Sequence, residues 1–325
     1  SSAASDVYKR QVIILLIAAY LQSCDNEFSL EGMDTQQKTV LFCFPTTKGD
    51  TTLIQVSQST SVNNQMINII SKPSINFTVN GREKEIKFNE KPTAMLPPNS
   101  YYVLGELKEK DRINIEVSYP DLTVAKSETE IPELFPLIKS EIALINGDYG
   151  KEIHFVVSFK DNAATKDYYG IRVLRKKITE YMSSNKQNQI EYAPVELKVD
   201  KEPLLSDKTG FDDIFGLSKE YYRLIYIWDD NMVNGKEYTL NVGTGQYPGS
   251  KDEYQKETYE FKIFLYKLSE ELYKYIKSIN DINNNELGNY GLAPIRSHFT
   301  NIENGIGILG GCNIYESEWL DIPEE

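Results

Sequence analysis

The sequence predicts a mostly β protein: a small N-terminal β-sandwich, then a larger β-rich domain with one short helix near the C-terminus. Three observations predict it. Apolar and polar residues alternate with period two through many short segments; in residues 112–119, Ile113, Ile115, Val117 and Tyr119 fall on one face. Asn-Gly pairs, the strongest short hairpin signal, stand at Asn80-Gly81 and Asn234-Gly235. The 325 residues include 22 tyrosines, a residue that suits half-buried pleated surfaces.

The first elements are not β. Residues 1–11, SSAASDVYKRQ, resemble translated sequencing-adapter sequence and are set aside. Residues 12–21 form a mostly apolar run, too short to span a bilayer as a helix and suited to a signal-peptide core. Leu21, Gln22, Ser23 and Cys24 follow. Leu at −3, a small residue at −1 and the cysteine form a lipobox-like pattern, with Gln22 departing from its strict form. Cys24 is therefore the expected lipidation site, and its acyl chains would anchor the protein at about 0.8 kcal/mol per buried CH₂. Signal peptide and adapter-like residues occupy 1–23, and residues 24–37 read as a polar, lipidated tether. Nothing after Cys24 is apolar for long enough to span.

The N-terminal sandwich is expected over 38–131. Strands are predicted at 38–44 and 52–57, at 74–79 and 84–88 around Asn80-Gly81, and at 112–119 and 122–130, within a set of about seven. Pro132 and Pro136 then break pairing and stiffen the chain, which places the domain junction there. The C-terminal β-rich domain is expected over 137–325. Its strands fall near 137–145, 152–159, 189–199, 220–228, 236–242 and 258–265, the last pointing Tyr259, Phe261, Ile263 and Leu265 inward. Residues 166–180 start as a strand, while their later part fits strand or helix. Ser269 as N-cap, Glu270 and Glu271 in the first turn, and Leu272, Ile276 and Ile279 on one face predict a helix over 269–280. A final strand is expected near 306–315.

Composition excludes several functions. The net charge is −13, and a surface this acidic repels nucleic-acid backbones and lacks a polybasic membrane patch. Beyond Cys24, Cys43 and Cys312 are either a disulfide or two separate buried thiols. Gly305, Gly307 and Gly310 fit G-x-G-x-x-G literally, but no strand–loop–helix context or following acidic residue supports a dinucleotide site, so no cofactor is expected. Asp229 and Asp230, with Asp212 and Asp213, are weak Ca²⁺ candidates without EF-hand spacing, and a polar hairpin loop is the plainer reading. His154 and His298 show no zinc spacing and no partner nucleophile, so catalysis is not expected. Tyr168, Tyr169, Tyr221, Tyr222 and Tyr247 lie near strand starts and loops, where aromatic rings stack on sugars, peptides or partner proteins; core packing is the competing role.

Several segments line up in order: the lipobox, KTVLFCF, DTTLIQVSQS, KDYYGIRV, WDDNMVNGKEYTL, LSEELYKYIKSIN and HFTNIENGIGILGG. Together they resemble the Bacteroidetes outer-membrane lipoprotein family catalogued as domain of unknown function 4249, across essentially the whole chain after Cys24. The resemblance implies an Ig- or transthyretin-like sandwich followed by the larger β-rich domain. It also implies an outer-membrane lipoprotein, of a kind often encoded beside a TonB-dependent receptor, with no established catalytic residues. In such lipoproteins an acidic stretch like Asp25–Glu27 resembles a surface-export signal. The expected function is a surface-exposed, non-catalytic accessory or binding subunit for a small ligand, glycan or peptide. The alternatives are a free-standing adhesin or structural lipoprotein, and, less favoured, an envelope hydrolase.

Overall fold

The computed structural model describes residues 37–59, 72–93, 96–147, 150–182, 187–199, 201–205, 223, 225–245, 247, 250–251, 254–283 and 297–323. Cys24, Asp212, Asp213, Tyr221 and Tyr222 lie outside them. The described residues are mostly β, with one α-helix. No described helix is long and apolar enough to cross a membrane, which says nothing about strands.

In the first half the strands are β1 (Thr39–Cys43), β2 (Thr51–Gln58), β3 (Ser74–Val79), β4 (Arg82–Glu83), β5 (Ile86–Asn89), β6 (Ser100–Leu104), β7 (Arg112–Ser118) and β8 (Ala125–Glu130). Alternation decides their faces. Ile113, Ile115 and Val117 on β7 are buried while Arg112 and Glu116 are exposed. The β3–β4 turn is the predicted Asn-Gly hairpin: Asn80 and Gly81 both take positive φ, 51° and 76°, which a two-residue turn of matching twist demands. Two sheets, β2–β6–β5 extended by β1, and β4–β3–β7–β8, enclose one core built on Leu41, Ile54, Phe77, Val103 and Ile115.

The second half contains β9 (Leu137–Gly147), β10 (Gly150–Lys160), β11 (Tyr168–Tyr181), β12 (Gln189–Pro194), β13 (Tyr226–Asp229), β14 (Glu237–Gly243), β15 (Ser250–Lys251) and β16 (Gln255–Leu268). These are followed by α1 (Glu270–Asn283), β17 (Gly305–Leu309), β18 (Cys312–Glu316) and β19 (Leu320–Asp321). The sheet β14–β10–β9 and the sheet built on β11 and β16 share a second core, with Phe155, Val157, Phe159, Tyr169, Ile171, Phe261 and Ile263 fully buried. Residues 166–180 resolve as strand: β11 and β16 are paired along all fourteen residues from Tyr168↔Leu268 to Tyr181↔Gln255. Pairing with a full-length neighbour overrides any local helical preference.

The helix begins where predicted. Ser269 Oγ accepts from the Leu272 amide at 3.3 Å, and Ser269 O accepts from the Tyr273 amide at 3.0 Å. Leu272 and Ile276 bury against Leu268, Cys312, Tyr266 and Ile314 on the outer face of the second sheet system.

The end of the chain departs from expectation. The single strand predicted near 306–315 is two strands in two sheets. β17 runs parallel to β1 and completes the first half, contributing Leu309 to its core beside Ile302. After Gly310 and Gly311, β18 runs antiparallel to β16 in the second half. The expected break at 131–137 does separate two cores, Ile131 lying in the first and Phe135 in the second. Residues 302–309 nevertheless belong with the first. This crossing explains the glycines. Gly307 has φ +111°, and a Cβ there would overlap the Leu41 carbonyl, while a Cβ on Gly311 would overlap the Glu130 carbonyl. The G-x-G-x-x-G pattern is a close-packing device.

Candidate functional site

β11 and β16 are the longest strands, and the site follows from what their inward positions carry. On β11 these run Tyr169, Ile171, Val173, then Arg175 and Lys177. The first three are buried in the second core and the last two are half-buried. The inward positions thus change from apolar to cationic at Arg175, with Thr179 buried again beyond Lys177. The Arg175 guanidinium lies 5.2 Å from the centre of the Tyr247 ring and 5.8 Å from that of Tyr259. Tyr247 in turn lies 5.5 Å from Tyr259 and 5.5 Å, edge-on, from Phe261. Arg175 Nε is shielded from solvent and has no hydrogen-bond partner. Lys177, one inward step on, is held by Glu257 at 2.7 Å, which raises its pKa.

The outward face of the same strands carries a second aromatic group. The Lys176 and Lys262 ammonium groups lie 5.3 and 5.2 Å from the Trp319 ring centre, and the Tyr192 ring lies 5.8 Å away. Lys176 also pairs with Glu260 at 2.9 Å. Tyr192 and Ile190 are 59% and 53% exposed on β12, an edge strand, so this ledge faces solvent. Past its tip, Tyr181, Gln187, Asn188 and Gln189 line an open polar depression of about 450 Å³.

Of the described tyrosines singled out by sequence, Tyr168, Tyr169 and Tyr247, the structure brings only Tyr247 into this region. Tyr169 is fully buried, so it is a core residue and not a ligand-facing one. It starts β11 on the inward face, and its hydroxyl donates to Asp161 at 2.6 Å and contacts Asp167 at 3.3 Å. Burial first, then those carboxylates, push its pKa far up. Tyr168, on the outward face, packs against Tyr273 of α1 with ring centres 4.7 Å apart.

Asp229 and Asp230 serve the same buried network. Asp229 caps a 3₁₀ turn by accepting from the Asn231 amide at 3.0 Å. Asp230 is buried, paired with Lys166, and accepts from the Asp167 amide at 2.8 Å. Lys267, also buried, reaches Asp167 at 3.1 Å. These contacts lock the 161–167 loop onto the 229–236 loop, where the Gly235 amide donates to Asp161 at 2.8 Å. Among the described residues no group of three His, Cys, Asp or Glu side chains is placed to hold a metal. His154 Nδ1 bonds Asn241 Oδ1 at 2.6 Å, and His298 lies near Tyr275. Cys43 and Cys312 are free and buried; burial pushes both thiols up, Cys312 to about 12.

Sequence reasoning missed Arg175, Tyr259, Tyr192 and Trp319 as a group. Its available signal was the cation pair at inward-phase positions 175 and 177, read instead as a possible switch to helix.

A family model described as a domain of unknown function (DUF4249) matches residues 25–318. No curated protein matches the chain.

Proposed function

Because the chain belongs to the DUF4249 family, we propose that it is a lipid-anchored, surface-exposed outer-membrane protein serving as a non-catalytic accessory or ligand-binding subunit of a TonB-dependent transporter. The observation that carries this reading is Cys24: an apolar run at 12–21 leads into Leu21-Gln22-Ser23-Cys24, and the matched domain starts at residue 25. The transporter association rests on the family resemblance. The binding role is supported by the aromatic and cationic groups gathered on the two faces of β11 and β16. The non-catalytic reading is supported by how reactive side chains are used: His154 is bonded to Asn241, and the two described thiols are buried.

The test is metabolic labelling with an alkyne fatty acid, followed by membrane fractionation. Wild type should carry label and sediment with outer membrane, and Cys24→Ala should carry none while its β domains still fold. Label retained by Cys24→Ala would overturn the anchor. Mild detergent extraction should co-purify a β-barrel receptor, and extraction without one would count against the transporter association.

A further inference from the structure

We infer that Arg175, beside Tyr247 and Tyr259, binds the carboxylate group of a small ligand; this deepens the ligand-binding reading above and rests on it. The chain holds 48 acidic residues against 35 lysines and arginines, so carboxylates are abundant. The neighbours of Arg175 have found theirs: Lys176 pairs with Glu260 at 2.9 Å and Lys177 with Glu257 at 2.7 Å. The buried Lys267 of this half is paired as well, with Asp167. Among the described residues Arg175 faces no carboxylate. Its cross-strand partners are Phe261 on β16 and Ala193 on β12.

The two ring centres are only 5.5 Å from each other, so both tyrosines lie to one side of the guanidinium. Attraction to a ring gives the N–H groups no lone-pair acceptor, so they stay available to one. Arg175 Nε is removed from solvent with no acceptor. A buried donor left unmade costs folding free energy, and such exceptions ask for an explanation. A partly buried guanidinium with aromatic rings on one side and no carboxylate beside it among the described residues suits a planar oxyanion, which a carboxylate matches with two parallel bonds. Residues opposite each other in an antiparallel pair share a face, and the residue opposite Arg175 on β12 is alanine, whose side chain is small. The rings of Tyr247 and Tyr259 add flat apolar walls and hydroxyl donors.

The experiment titrates the purified full chain with succinate and benzoate, with benzamide as the neutral control and inorganic phosphate as the tetrahedral one. Binding is read by calorimetry and tyrosine fluorescence. Wild type should bind the carboxylates saturably and benzamide at least tenfold more weakly. Arg175→Met should lose the carboxylate response at least tenfold while melting no lower than wild type, because it removes an unsatisfied donor. Arg175→Lys, which keeps the charge and loses the fork, should fall between. Ala193→Glu supplies an internal carboxylate opposite Arg175; it should raise the melting temperature and abolish succinate binding. The site is overturned if the carboxylates do not saturate, if Arg175→Met binds them as wild type does, or if Ala193→Glu leaves binding intact. Saturation by phosphate alone overturns the carboxylate assignment. Any of these results alongside intact labelling of Cys24 removes this site and leaves the anchored-lipoprotein reading standing.

Discussion

The two cores are built alike and filled differently. Each is two sheets closing over alternating apolar residues. In the first, the buried polar groups are small and neutral, such as Thr39, Thr52, Ser100 and Thr129. The second adds buried charge at its rim: Asp161, Asp167, Asp230, Glu202 and Lys267. Buried charges are costly unless paired and hydrogen-bonded, and here they fix loops and strand ends where a purely apolar core would have left them loose. The second half is therefore the more constrained, and it is the half in which Arg175 and Trp319 meet tyrosines. The first half has neither feature, but it cannot be completed without β17, from far along the chain.

That dependence gives the largest expected effect. Gly307→Val places a branched side chain at φ +111° against the Leu41 carbonyl, and should cost about 3–5 kcal/mol, the upper range for single substitutions. Urea denaturation measures it, and hydrogen exchange should show β1 and β2 opening before β10 and β11. Faster exchange confined to the second half would break the comparison. Next comes Tyr169→Phe, which removes the donor shared by Asp161 and Asp167. It should cost about 1–3 kcal/mol, since two buried carboxylates lose a partner. A double cycle with Phe77→Leu in the first core should be additive, because the sites share no contacts.

A smaller effect tests the link between the halves. Glu133 accepts from Lys110 of the first half at 2.6 Å and lies 3.9 Å from Lys267 of the second. The hydrogen bond to Lys110 holds its carboxyl below the usual range, against a lesser opposing effect of burial. A depressed carboxylate contributes stability that is present above its unfolded pKa and lost as pH falls through the folded one. The side chain is 36% exposed, so solvent screening keeps the contribution to about 0.5 kcal/mol or less. Glu133→Gln should therefore flatten the acid limb of the melting temperature slightly between about pH 5 and pH 3, and an unchanged limb would remove the link. The smallest effect is a rate. Thiol reagents should leave Cys43 and Cys312 unlabelled in the native protein and label both in urea, because both thiols are buried and held protonated. Native labelling of Cys43 alone would show the first core to be the looser one.

Much of this was legible locally. The alternation of β7, the Asn80-Gly81 turn and the Ser269 cap each depend on a few adjacent residues, and all three stand as read. Boundaries moved where pairing rather than pattern set them. The segment expected as a strand over 122–130 pairs only from Ala125, and that expected over 189–199 stops at Pro194, where Val195 and Leu197 turn into the core instead. The candidate site was read in fragments. Tyr247 was marked, but Arg175 and Tyr259 lie 72 and 12 positions from it along the chain, and nothing local says that three such residues meet.

By itself the sequence determined the class, the strand faces, the helix start, the expectation at Cys24 and the glycines that a tight passage requires, because period, capping and turn chemistry act within a few residues. Only the tertiary structure decided that residues 306–315 are divided between two sheets, that Tyr169 is core, and that Arg175 stands beside two tyrosines with no partner for its Nε. The physical reason is the same in each case. Which strand lies beside which is set by burial summed over the whole chain, and a side chain's partners are known only when that sum is made.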